Sequence, residues 1–138
     1  MRYISIFTHE KKNDRPPTEA EMAAMGKLIE DGMKKGWLIA TEGVSFGQAG
    51  VRIHKPEAGD VVVTDGPFAE AREVFTGYWI LEVASREEAE HWARRCPLGP
   101  GTSLEVRRIQ ELSDFAPEVE EGERIRREKQ QEWQSANG

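Results

Sequence analysis

Among its 138 residues the chain has a single cysteine, Cys96, so it can form no disulfide of its own. Disulfide frameworks mark small secreted domains, and a reducing, cytoplasmic setting is the expectation here. Long hydrophobic runs are missing as well. The apolar stretch in MRYISIFTHEKK is too short for a signal core or a bilayer span, so no membrane association is expected. Basic charge is in deficit, with 19 lysines and arginines against 25 acidic residues. The net charge of -6 argues against nonspecific nucleic-acid binding, which depends on basic surface and counterion release. The pairs Arg94-Arg95, Arg107-Arg108 and Arg126-Arg127 sit among glutamates and read as solvated mixed faces. Three scattered histidines and one cysteine give no zinc spacing, leaving only a carboxylate-rich metal site open. A phosphate-cradling glycine loop and a serine nucleophile elbow are both missing, and no cofactor is expected.

What remains is the pattern of one ordinary domain with a heavily charged surface. Tyr3, Ser5 and Phe7 alternate with Ile4 and Ile6 at the period of a strand. KKNDRPP interrupts regular structure, and Thr18 with Glu21 forms a capping box at a helix start. Met22, Met25, Ile29 and Met33 follow as the apolar face of that helix, and Gly36 ends it. Strands are expected in WLIATEGVSF, VRIHK and DVVVTD, with GQAG as a loop. The strongest strand runs from Glu73 to Val83, where Gly77 marks a bulge or a close backbone approach. Ser85 and Glu88 cap a second helix, whose apolar face is Ala89, Trp92, Ala93 and Cys96, ended by Pro97. TSLEVRRI closes the series as a half-buried strand.

Two amphipathic helices among these strands must cover one face of an antiparallel sheet, an α+β layer of the split βαβ type. Trp79, Leu81 and Val83 then share the covered face. Tyr78, Ile80 and Glu82 share the other, which is too apolar for free solvent and implies a homodimer packed sheet to sheet. Residues 1–112 form this domain, and 113–138 a charged helical extension with Glu120-Arg124 and Glu123-Arg127 at the favourable i,i+4 spacing. Val119, Ile125 and Trp133 form no single stripe there, and Phe115 is a candidate anchor.

The stretch VTDGPFAEAREVFTGYWILEVASREEAEHWARRCP, together with MRYISIF, GWLIATEGV and SLEVRRI, resembles the DGPF group of the YCII-related family over roughly residues 1–110. The resemblance implies a ferredoxin-like fold dimerised into an α+β barrel. It also implies a cleft in which relatives place a proposed His–Asp pair, and a similarity to proteins found beside or fused to extracytoplasmic-function sigma factors. The shorter relatives carry their histidine on the first helix, near Met25 of this chain, and this helix has none.

Asp65 opens the Asp65-Gly66-Pro67 turn, and its carboxylate suits capping of that turn. At a strand end facing a dimer cleft it suits general acid or base work as well. His9 is the candidate replacement partner, since it ends the first strand on the Tyr3 face, and histidine titrates at about 6.5. The polar residues after it leave an exposed loop histidine as the alternative. His54 and His91 read as surface residues, and Cys96 as an inert core thiol. Glu42 either pairs with Arg52 on a neighbouring strand or binds a polar substrate group. Tyr78 either lines the same pocket or packs. The resulting expectation is a homodimer with a small-molecule ligand. Its enzymatic form is cofactor-free proton transfer (elimination, isomerisation or hydrolysis) by Asp65 and His9, with Glu42, Arg52 and Tyr78 holding the substrate. The alternative is a non-catalytic regulatory module, linked through the resemblance to sigma factors.

Overall fold

β1 (Arg2–Glu10) keeps every second residue, Tyr3, Ser5, Phe7 and His9, out of solvent while their neighbours stay half-buried. That burial pattern is the period-2 signature of a strand covered on one face. The computed structural model describes residues 1–10, 16–45, 50–66, 68 and 72–138. The chain divides into two units, Met1–Arg108 and Ile109–Gly138. Most of KKNDRPP and of GQAG, and Pro67 of the DGPF motif, lie outside the described residues.

In the first unit α1 (Glu19–Lys35) begins where the Thr18 hydroxyl accepts the Glu21 amide at 3.1 Å. It ends at Gly36, whose φ of 83° is open to glycine at little cost. β2 (Leu38–Gly43), β5 (Glu73–Glu82), β1 and β6 (Thr102–Arg108) form an antiparallel sheet in the order β2-β5-β1-β6. α2 (Arg86–Arg94) joins its last two strands, capped by Ser85 at the Glu88 amide, while the Glu88 carboxylate reaches back to Ala84. This order and connectivity are the α+β, ferredoxin-like arrangement expected. β3 (Val51–His54) and β4 (Val62–Asp65) also form, but among the described residues they pair only with each other, as a separate hairpin inserted between β2 and β5.

Both helices cover the same sheet face. Tyr3, Phe7, Trp79, Leu81 and Ala89 are buried together, with Met25, Leu28, Ile29 and Trp92 packed against them. The Trp37 ring stacks on Trp92 at 4.2 Å, and Phe7 meets Trp79 edge-on at 5.6 Å. The expected methionine stripe of α1 needs correction. Met22 and Met33 are exposed, and the packed face runs through Met25, Leu28, Ile29 and the buried Gly32. The reason lies at Gly32, where the backbone of α1 comes so close to Trp37 and Leu38 that a Cβ would meet both at 2.8 Å. That approach rotates the helix toward Gly32 and away from Met33.

In the second unit a 3₁₀ turn (Leu112–Asp114) precedes α3 (Pro117–Asn137), which has no buried residue. Both expected i,i+4 pairs form, Glu120–Arg124 and Glu123–Arg127. The Arg127 guanidinium also lies over the Phe115 ring and donates to the Gln110 carbonyl at 3.1 Å.

Candidate functional site

Where β1 ends, three pieces of backbone geometry build a cavity. Phe7 pairs with Gly77 but Thr8 with Phe75, so Thr76 is the extra residue of a β-bulge. The Thr76 carbonyl accepts the Val44 amide at 2.8 Å, tying the exit of β2 to the bulge. A Cβ on Gly77 would lie 2.8 Å from the Glu42 carbonyl, so only glycine permits this closeness. On the other side of β1 the Glu10 amide donates to Gly101 O at 2.8 Å, and Gly101 takes φ 82°. That turn delivers Thr102 to the start of β6, opposite His9 in register.

His9 is therefore a strand residue, only 8% exposed, and not an exposed loop histidine. Its Nδ1 lies 3.0 Å from the Thr102 hydroxyl, which donates or accepts according to the tautomer. The pairing fixes the ring plane, the arrangement by which a histidine is oriented for proton transfer. Around it opens a cavity of about 560 Å³, whose polar wall includes Glu21, Ser45, Thr76 and Thr102 and whose apolar wall includes Met25 and Val44. Met25, the position near which the shorter relatives carry their histidine, thus faces the same space as His9. Thr102, Thr76 and Ser45 escaped the sequence reading, because no local pattern distinguishes them from ordinary strand and loop hydroxyls.

The other expected site residues fall elsewhere. Asp65 ends β4, is exposed, and pairs in register with Val51; among the described residues it is not in the cavity wall at His9. Arg52 lies on β3 of the same hairpin, with its guanidinium 3.9 Å from the Phe68 ring centre. β2 pairs with β5 and β3 with β4, so Glu42 and Arg52 do not face each other across a ladder. Glu42 is instead the cross-strand neighbour of Tyr78, on the sheet face opposite the helices. Ile6 and Ile4 lie beside Tyr78 and Ile80 there, half-buried. His9, the Glu42–Tyr78 pair and the Arg52–Asp65 hairpin therefore occupy three separate places. His54 and His91 are exposed, as expected. Burial pushes the Cys96 thiol up to about 12, which keeps it protonated and unreactive. Among the described residues no cluster of His, Cys, Asp or Glu is arranged to hold a metal ion. No described helix is long and apolar enough to cross a membrane.

A family model for the YCII-related domain matches residues 1–113. A protein of Rhizobium meliloti (strain 1021), itself called uncharacterised, is 46% identical over 37 residues. That stretch is 27% of this chain and 30% of the relative, so the match covers less than a third of either.

Proposed function

The chain belongs to the YCII-related family, and from that premise we propose that it is a homodimer binding a small molecule in the cavity at His9. The observation that carries this reading is a buried imidazole, oriented by Thr102, at the wall of a cavity of about 560 Å³. Buried, oriented titratable groups in a cleft are where acid–base chemistry is found. The reaction class is cofactor-free proton transfer: elimination, isomerisation or hydrolysis of a small polar or aromatic compound. His9 gives or takes the proton, and the hydroxyls of Thr76 and Ser45 with the Glu21 carboxyl orient the substrate. Asp65 lies on the separate hairpin, outside this cavity wall, and takes part only if the hairpin brings it to His9.

The dimer is supported by the sheet face opposite the helices. Ile4, Ile6, Tyr78 and Ile80 form an apolar centre there, flanked by Glu42, Glu105 and Arg107. An apolar patch with a charged rim is the anatomy of a protein interface.

A joint NMR pH titration of the His9 imidazole and the Asp65 carboxyl tests the chemistry. Shared inflections couple the two groups in one site. Independent inflections remove Asp65 from the mechanism and leave His9 with Thr102. If no small polar compound in a fragment screen shifts the His9 signals, the binding reading is wrong and the regulatory one takes its place.

A further inference from the structure

We infer that the His9 cavity is the polar end of a longer groove, and that the ligand carries an apolar tail along α1. This rests on the reading of the His9 end as a binding site. A second cavity of about 400 Å³ adjoins the first, and the two share Pro17, Glu21, Met25, Gly99 and Thr102 in their walls. Past these residues the wall changes character: Phe7, Met22, Ile29, Pro97 and Leu98 are all apolar. Phe7, only 8% exposed, belongs to the core cluster at the base of this arm.

Two of these apolar residues are otherwise unaccounted for. Met22 is 62% exposed and Leu98 43%, whereas Met25 and Ile29 on the same wall pack against the core. Methionine is the side chain best able to reshape around an irregular guest, and Met22 and Met25 lie one turn apart on this wall. Gly26, directly after Met25, leaves the groove open, because an added Cβ there would meet nothing within 4 Å among the described residues. The continuity of the walls commits the arm to the same molecule that the polar end holds. That molecule has a hydrogen-bonding head at His9 and Thr102 and a short alkyl or aryl tail against the methionines.

The test uses phenol and the 4-alkylphenols from methyl to hexyl as probes, followed through the His9 imidazole and the Met22 and Met25 methyl signals. In the wild type, affinity is expected to rise about fourfold per methylene over the first few carbons, as burial of each CH₂ implies. The methionine methyls should shift only when the tail is present. Gly26→Leu fills the arm and should flatten the series, whereas Gly26→Ala should not. A flat wild-type series with phenol still perturbing His9 overturns the tail while leaving the polar site standing. A slope that survives Gly26→Leu overturns it as well, since the tail then binds elsewhere. Methionine shifts that follow protein concentration rather than ligand would assign the arm to a second copy of the chain, and would also overturn the proposal. If phenol and its derivatives all leave His9 untouched, the polar site itself fails and the tail with it.

Discussion

The same substitution at two glycines of α1 should stabilise the protein at Gly26 and not at Gly32. Gly26 and Gly32 are both helical with negative φ, so alanine is unstrained at either. Alanine in place of glycine in a helix interior gains about 1 kcal/mol from helix propensity. At Gly26 nothing among the described residues lies within 4 Å of the new Cβ, so the whole gain should appear. At Gly32 the Cβ would lie 2.8 Å from Leu38 Cβ, 2.8 Å from Trp37 Cζ2 and 2.9 Å from Cη2. Neither neighbour can yield easily. Leu38 Cβ moves only with the backbone of β2, and the Trp37 ring is stacked on Trp92 at 4.2 Å. Overpacking of this kind costs about 1–3 kcal/mol. The propensity gain is common to both variants, so their difference reports the overpacking alone. Urea denaturation of both proteins measures it, with an expected gap of about 1–3 kcal/mol in favour of Gly26→Ala. In thermal unfolding this is roughly 4 °C per kcal/mol for a unit of this size. Equal stability of the two variants, or a more stable Gly32→Ala, would refute the close approach of α1 to Trp37 and the account of why Met33 is turned outward.

Three further outcomes are expected. The wild type should sediment at twice its chain mass of 15.6 kDa, and Ile6→Lys at a single chain mass with unchanged circular dichroism; a monomeric wild type would sink the dimer. Hydrogen bonds first from Arg126 and then from Arg127 hold the Glu123 carboxyl at about 2 instead of 4.5. Because the folded value is the lower one, this contribution to α3 is complete above about 4.5 and is lost as pH falls through about 2. An NMR titration of the Glu123 carboxyl at the ordinary glutamate value would contradict it. With its thiol raised to about 12 by burial, Cys96 should react with iodoacetamide at pH 8 only after unfolding in urea, and fast labelling of the native chain would contradict the packing around it.

Most of the fold was legible because its determinants are local. Thr18, Ser85 and Gly36 act within a few residues, and the alternation in β1 and β5 survives folding intact. The centre of the α1 face was not legible. Met22, Met25, Ile29 and Met33 fit one arc as well as Met25, Leu28, Ile29 and Gly32, and the choice is made by Trp37 and Leu38 pressing on a glycine. The site was less legible still. His9 was a visible candidate, but its burial and orientation depend on Thr102, 93 residues away. Parity put Tyr78 on the face away from the helices, but Glu42 was expected opposite Arg52, and only the pairing of β2 with β5 makes Tyr78 its neighbour.

The β3–β4 hairpin carries a consequence for how quickly the sheet assembles. Gly43 pairs with Gly77 across 34 positions of chain, a long loop to close by chance. Val51 and Asp65, 14 positions apart, can pair first, and their pairing cuts that loop to about 20 positions. By loop-closure entropy this lowers the cost of joining β2 to β5 by about 0.5 kcal/mol, or roughly a twofold gain in rate. The hairpin thereby acts as a stitch taken early in the chain, and replacing it with a flexible linker of equal length should slow folding while leaving the four-stranded sheet intact.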